Sequence, residues 1–367
     1  MRILIAPDKF AGTMSAAEAA DAIAAGWRRA RPDDTAATLP LADGGPGFVE
    51  VLHHALPNAT KHTVRASDPL GRPVDADYLR EGDTAYIESA ATCGLHLLTG
   101  AERDPRRTTT YGLGTVIAHA VEHGARRVVV GLGGSATNDA GAGMLTALGH
   151  VFRDAAGEPI PYGGAALAAV AAVEGLPRTR GVEFVAATDV DSPLLGPHGA
   201  SHVFGPQKGA APRDVALLES AVAHFAATVE DRLDRPGLAD RPGAGAAGGL
   251  GFAFFLLGGR RESGARLTCD AVGLDAAVAE ADLVITGEGS FDAQSLRGKL
   301  AAEVAASAAA HAKPCLVLAG RADDATHPDL AGVHSVTELL GSAEAAMAAP
   351  VEGLTALAEQ VAKERHG

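Results

Sequence analysis

Four short runs of largely β-branched, apolar residues, Ile3–Ala6, Arg127–Gly131, Leu283–Thr286 and Cys315–Ala319, set the fold class. Each ends in a glycine, proline or acidic loop and is followed by an alanine-rich stretch with helical character. A strand with no polar alternation must be covered on both faces, and strands that alternate with helices build a parallel sheet. The chain is therefore read as α/β. In such sheets ligands bind beyond the carboxyl ends of the strands, where these polar loops lie.

The pattern changes between residues 63 and 90. Thr63–Ala66, Val74–Leu79 and Ala85–Glu88 are strand-like and are separated by Pro69-Leu70-Gly71 and Glu81-Gly82-Asp83. Turn signals this close together predict an antiparallel meander. A length of 367 residues predicts two domains at roughly 100–200 residues each. The expected organisation is one domain from residues 1–65 plus 282–367, with a second, inserted domain over 66–281 that contains some antiparallel strands. The segment 231–249, rich in Pro, Gly and Asp, reads as a mobile surface excursion.

Acidic residues outnumber basic ones by 45 to 31 with no dense basic patch, which excludes a nucleic-acid partner. Cys93, Cys269 and Cys315 lie far apart with no paired spacing, as expected in a reducing compartment. No apolar stretch approaches the ~18 residues of a membrane span, and the apolar run at the N-terminus is too short for a signal peptide. A cytoplasmic protein with no membrane partner is expected.

The glycines, 45 in all, or about 12% against a usual ~7%, concentrate in the loops that carry chemistry. In Val128–Met144 a strand runs into Gly133-Gly134-Ser135, then Thr137, Asn138 and Asp139, then a small-residue helix start. Glycines let backbone N–H groups approach phosphate oxygens, and the hydroxyls add donors. Asn138 and Asp139 are placed to take a magnesium ion or a substrate hydroxyl, and helix capping alone would account for some of these residues. In Leu283–Lys299 the strand ends at Thr286, and Gly287, Glu288, Asp292, Gln294 and Lys299 follow. Carboxylates with a downstream lysine suit a magnesium–polyphosphate site, although this is not a Walker A loop and solvated loop acids are the plainer reading. After the first strand come Asp8 and Lys9, with Ser15 and Glu18 forming a capping box for the next helix. Asp43, Gly44 and Gly45 offer a carboxylate beside exposed backbone. Asp189 ends another strand, and Gln207 and Lys208 sit between glycines. An aspartate near a hydroxyl can act as general base, with a lysine offsetting phosphate charge. Gly243, Gly245 and Gly248 make a formal G-x-G-x-x-G, but no apolar strand precedes it, so a dinucleotide site is not indicated.

Taken in order, Pro7-Asp8-Lys9-Phe10, Ala42–Gly45, Gly131–Asp139, Asp189–Gly196, Phe204–Gly209, Pro242–Gly251 and Thr286–Lys299 closely resemble the bacterial type I glycerate kinase family. The resemblance runs from residue 1 to about residue 320. It implies a flavodoxin-like domain with an inserted α/β domain, an active site in the cleft between them, and phosphorylation of D-glycerate by ATP with Mg2+. On that reading Asp189 is the general base, Asp43, Asp139 and Asp292 are the candidates for magnesium, and Lys9, Lys208 and Lys299 offset phosphate charge and grip the glycerate carboxylate. Three departures stand out: Ala11 replaces a lysine, Pro46 and Phe48 replace a glutamate and a threonine, and Ala140 replaces a glycine. A kinase for another small hydroxy acid, with Phe48 reshaping the acceptor pocket, and a non-catalytic ligand-binding relative are the alternatives. Monomer and homodimer are both compatible with the sequence.

Overall fold

The computed structural model describes residues 1–175, 179, 181–292, 295, 300–323 and 328–365. The chain divides into two compact units: Met1–Asp43 with Glu50–Ala55 and Ala265–Gly367, and Gly44–Val49 with Leu56–Gly264.

The first unit is built on a five-stranded parallel sheet in the order Gly332–Ser335, Cys315–Ala319, Leu283–Thr286, Arg2–Ile5, Thr35–Thr38. Side chains alternate across a strand, so Ile3 and Ile5 face one layer while Leu4 faces the other. Ile3 and Ile5 pack with Ile23, Trp27, Leu354 and Leu357, drawn from the helices Ala16–Ala30 and Pro350–Glu364. Leu4 packs with Val278, Val284, Leu300 and Val304 on the opposite side. This two-sided cover is what the apolar runs required. The two helices of the first layer meet closely at Gly26, where a Cβ would stand 2.1 Å from the Thr355 carbonyl oxygen. Helix Ala16–Ala30 starts as its sequence indicates: the Ser15 hydroxyl accepts from the Glu18 N–H, and the Glu18 carboxylate accepts from the Ser15 N–H.

The second unit carries a six-stranded sheet in the order Arg260–Glu262, Glu183–Ala187, Arg127–Gly131, Thr84–Glu88, Pro73–Glu81, Thr60–Ser67. The first four strands are parallel and the last two antiparallel, so the meander closes one edge of the sheet. Val128, Val130, Phe184 and Ala186 pack against Leu113, Phe225, Phe252 and Phe254 from the flanking helices. The glycine-rich stretch departs from its reading as part of a mobile excursion: Ala244, Ala246 and Leu250 are fully buried. Its glycines serve close packing, since a Cβ on Gly248 would lie 1.9 Å from the Thr137 carbonyl oxygen. Among the described residues, no helix is long and apolar enough to cross a membrane.

Candidate active site

In the first unit, the central strands Arg2–Ile5 and Leu283–Thr286 lie side by side, and their following helices pack on opposite faces of the sheet. Diverging loops at such a switch point leave a crevice at the carboxyl edge. The loops are fastened to each other by Asp8 N–H to the Gly287 carbonyl at 2.8 Å and by the Thr286 hydroxyl to the Ala6 carbonyl at 2.8 Å. Gly287 is required there, because a Cβ would stand 2.2 Å from the Leu318 carbonyl oxygen.

That crevice gathers Asp8, Lys9, Asp43 and Glu288 in one pocket of about 460 Å³. Lys9 Nζ donates to Asp43 Oδ1 at 2.8 Å and stands 3.5 Å from Asp8 Oδ1. Burial, and next the Asp43 carboxylate, push the Asp8 carboxyl up to about 7 against the opposing pull of Lys9. Burial works against the Lys9 charge, but Asp43 and Asp8 outweigh it and hold its pKa above the ordinary lysine value. The cluster thus carries more acid than base. The position of the missing family lysine, Ala11, is exposed on the pocket lining. Asp292 is half-buried, and its Oδ1 accepts from the Ser295 N–H at 3.2 Å, closing a turn. Gln294 and Lys299 lie outside the described residues.

In the second unit, Gly133 and Gly134 stand at the carboxyl end of the Arg127–Gly131 strand, with Gly134 exposed at a φ of +67°. Gly44 and Gly45 lie directly over this end: a Cβ on Gly131 would meet the Gly44 carbonyl oxygen at 2.4 Å, and one on Gly133 the Gly45 Cα at 2.5 Å. Phe48 is fully buried, and a Gly131 Cβ would lie 2.9 Å from its ring, so Phe48 packs beneath this strand end. Glu88, a carboxylate the sequence reading passed over, accepts from the Gly47 N–H at 2.9 Å. Asp189 follows the Glu183–Ala187 strand by two residues and is half-buried.

Lys208 has a different place from the one expected. Its side chain is 2% exposed, and Nζ donates to Ser135 Oγ at 2.9 Å and to the Thr137 carbonyl at 2.7 Å. Burial draws its pKa down to about 7, although Asp139 and Cys93 oppose the shift. It ties down the glycine-rich loop from inside. The neighbouring Gln207 is exposed. Thr137 and Asn138 are fully buried too; Asn138 Nδ2 donates to Ser201 Oγ at 3.1 Å, while Thr137 Oγ1 and Asn138 Oδ1 have no hydrogen-bond partner among the described residues. Asp139 is 1% exposed, and its carboxylate accepts from Thr110 N–H, Thr110 Oγ1, Gly141 N–H and Gly143 N–H at 2.9–3.2 Å. Its oxygens are saturated by the protein, which makes it a fastener of the loop and corrects its reading as a magnesium ligand. Its partner signal was present in the sequence as the run Thr108-Thr109-Thr110, whose first hydroxyl also donates to the Ala136 carbonyl at 2.9 Å.

Comparison with known proteins agrees across both units. The model of the glycerate kinase family matches residues 3–365. The chain is 42% identical to glycerate 2-kinase of Escherichia coli strain K12 over 88% of its length and 86% of the relative's. It is 44% identical to the glycerate kinase of Bacillus subtilis strain 168, covering 87% of this chain and 85% of that one. A crystal structure of glycerate kinase 2 from Salmonella typhimurium LT2 superposes with a TM-score of 0.78 at 40% identity, covering 99% of this chain and 98% of the other. With a family model spanning almost every residue and relatives matched over most of their own length, the chain belongs to the glycerate kinase family, and it is an enzyme of that family.

Proposed function

We propose that the chain transfers the γ-phosphoryl group of ATP in line to a hydroxyl of D-glycerate, with Mg2+ as the accompanying ion. The observation that carries the reading is the Asp8–Lys9–Asp43–Glu288 cluster at the switch point of a parallel sheet, in a chain whose relatives are glycerate kinases. The cluster's side chains present carboxylate oxygens and one ammonium to the pocket. Among the described residues no three acidic or histidine side chains are grouped to hold a metal ion by themselves, so magnesium would come with the nucleotide and supply charge neutralisation on its phosphates. Lys9 holds Asp43 and Asp8 in place and contributes the positive charge nearest the cluster. In the second unit, Gly133 and Gly134 offer backbone N–H groups that no Cβ shields, and Lys208 keeps their loop in shape through Ser135 and Thr137. Asp189 is assigned the proton of the acceptor hydroxyl as general base.

The test is ADP release by purified protein with Mg-ATP and D-glycerate, with the product identified by phosphorus NMR as 2-phospho- or 3-phosphoglycerate. Release that depends on D-glycerate supports the reading, and no release with ATP bound overturns it. Asp189→Asn is expected to lower kcat by about 100-fold or more while nucleotide affinity stays within about twofold. Near-normal turnover of that variant removes Asp189 from the base role.

A further inference from the structure

In the second unit, Lys208 is a buried amine with no counter-ion among the described residues. Its two acceptors, Ser135 Oγ and the Thr137 carbonyl, are neutral, and a third N–H of the ammonium has no partner there. Asp139 and Cys93 are the titratable groups that act on it. Asp139 is already saturated by Thr110, Gly141 and Gly143, and burial holds Cys93 as a thiol, its pKa pushed up to about 12. On the flanking segments His202 is paired with Glu219, and Arg106 with Asp104 and Asp214. A buried charge either finds a partner or sheds its proton, and here the protein supplies no partner.

The loop that Lys208 fastens has the opposite shortage, donors without acceptors. The Leu132 and Ala136 N–H groups donate to the Ala187 and Cys93 carbonyls at 2.9 and 2.6 Å. Between them, the N–H groups of Gly133, Gly134 and Ser135 meet no acceptor among the described residues. Gly133 is half-buried and Gly134 exposed, so the run opens to solvent. Successive N–H groups of this kind suit an oxyanion. The Ser135 hydroxyl links the two shortages. While Lys208 is an ammonium, Ser135 Oγ accepts from it, which leaves the hydroxyl hydrogen for another acceptor. When Lys208 is neutral, the hydroxyl can donate to its lone pair instead.

Building on the reading of Gly133 and Gly134 as substrate contacts, we infer that this loop takes up an oxyanion and a proton together, the anion on the Gly133 and Gly134 N–H groups and the proton on Lys208. The oxyanion is the carboxylate of the acceptor acid or the phosphoryl group it receives, which present the same kind of oxygen. Once bound, it supplies the missing negative charge and favours the ammonium, which ties affinity to pH. An amine that titrates near 7 in the free protein and higher in the complex makes anion affinity flat below pH 7. Above pH 7 the affinity falls by about tenfold per pH unit until the midpoint of the complex is reached.

The experiment is calorimetric titration of the full chain with D-glycerate and, separately, with sulfate, a phosphoryl stand-in that does not itself titrate near neutral pH. Each is run at pH 7 and pH 8 in buffers of different ionisation enthalpy, which reads the protons taken up. Wild type should take up about half a proton per anion at pH 7 and close to one at pH 8, and Lys208→Met none. Uptake with D-glycerate assigns the carboxylate, and uptake with sulfate assigns the phosphoryl group. No uptake with either anion, or equal uptake in Lys208→Met, overturns the inference. Should that variant not fold, carbon-13 labelling of the lysine side chains in wild type decides the matter. The chain has six lysines, and one Cε resonance must titrate near pH 7 and move to higher pH with the anion. A midpoint that both anions leave unmoved overturns the inference equally. The proton count also separates it from the reading it rests on. Lys208-dependent uptake in a protein that phosphorylates no glycerate supports the proton-linked loop and refutes the glycerate reaction. Normal glycerate phosphorylation without Lys208-dependent uptake does the reverse.

Discussion

Replacing Lys208 by methionine sets two buried effects against each other. The wild-type amine is 2% exposed, and its pKa is drawn from 10.5 down to about 7 by burial. At about 1.4 kcal/mol per unit of displacement, holding the ammonium in this site costs up to about 5 kcal/mol at pH 7 and below. Methionine of similar length relieves that cost. It also strips a donor from Ser135 Oγ and from the Thr137 carbonyl, now met at 2.9 and 2.7 Å, for a loss of about 1–3 kcal/mol each. Near pH 7 the effects are of similar size, and the variant should match wild type to within about 2 kcal/mol. Above pH 7 the balance shifts. The folded lysine gives up its proton near pH 7 and the unfolded one near 10.5, so between these values the unfolded chain binds more protons and wild-type stability rises with pH. The variant lacks this gain and should fall behind by about 2–5 kcal/mol at pH 10. Urea denaturation at both pH values reads the difference. Far-ultraviolet circular dichroism is the signal of choice, because the single tryptophan, Trp27, belongs to the other unit. All other titrations cancel in the comparison. A gap between the two proteins that is the same at pH 7 and pH 10 refutes the argument, because Lys208 would then not be held as a buried amine of depressed basicity.

Three further outcomes follow from single residues. Ala140, in the left-handed region at a φ of +49°, is relieved by Ala140→Gly, which should stabilise the chain by about 0.5–1 kcal/mol after the extra freedom of unfolded glycine is subtracted; a lower urea midpoint contradicts this. Gly248→Ala would force a Cβ to within 1.9 Å of the Thr137 carbonyl oxygen at a φ of +72°, so it should cost about 3 kcal/mol or more and loosen amide protection of residues 137–140 in hydrogen exchange, where unchanged protection would contradict it. The Asp34 carboxyl is pushed up by burial, yet hydrogen bonds from Trp27, the Met1 amino group and Arg31 outweigh that and hold it at about 2. Asp34→Asn should therefore cost about 1–2 kcal/mol at neutral pH, with the deficit shrinking as pH falls from about 4 towards 2; a deficit independent of pH would be inconsistent with it.

Much of this fold was legible because parallel strands covered on both faces have little choice of residue. Ile3–Ile5 and Leu283–Ile285 pair as buried neighbours, and the close turns at 69–71 and 81–83 mark the antiparallel edge. Asp8 and Lys9, Asp43, and Glu288 were each legible as loop residues beyond a strand end, and it is the sheet order that brings them to one pocket. What the sequence hid were pairings across long separations. Asp139 looks like a ligand until Thr110 is brought against it, and Lys208 looks like a phosphate contact until its own loop folds over Ser135. The glycine run at 243–251 has the composition of a mobile loop, and only its contact with Thr137 and Ala140 makes it core. Local composition carries propensity, whereas these roles are decided by which backbone passes overhead.

The passage of Gly44 and Gly45 over Gly131 and Gly133 has a consequence for how this enzyme can change over time. Where two main chains touch with no room for a methyl group, no ordinary amino acid offers a stepwise route to something else, since each of the two strands would have to retreat before the other could gain a side chain. Drift and laboratory selection alike should find these positions frozen. At the neighbouring Gly134, by contrast, what a Cβ would meet is side chain, the Pro46 ring at 3.0 Å and the Ala90 methyl at 3.8 Å, so a change there has to be matched by a change at Pro46. The proline in place of the family glutamate sits at that side-chain contact, where one substitution can answer another.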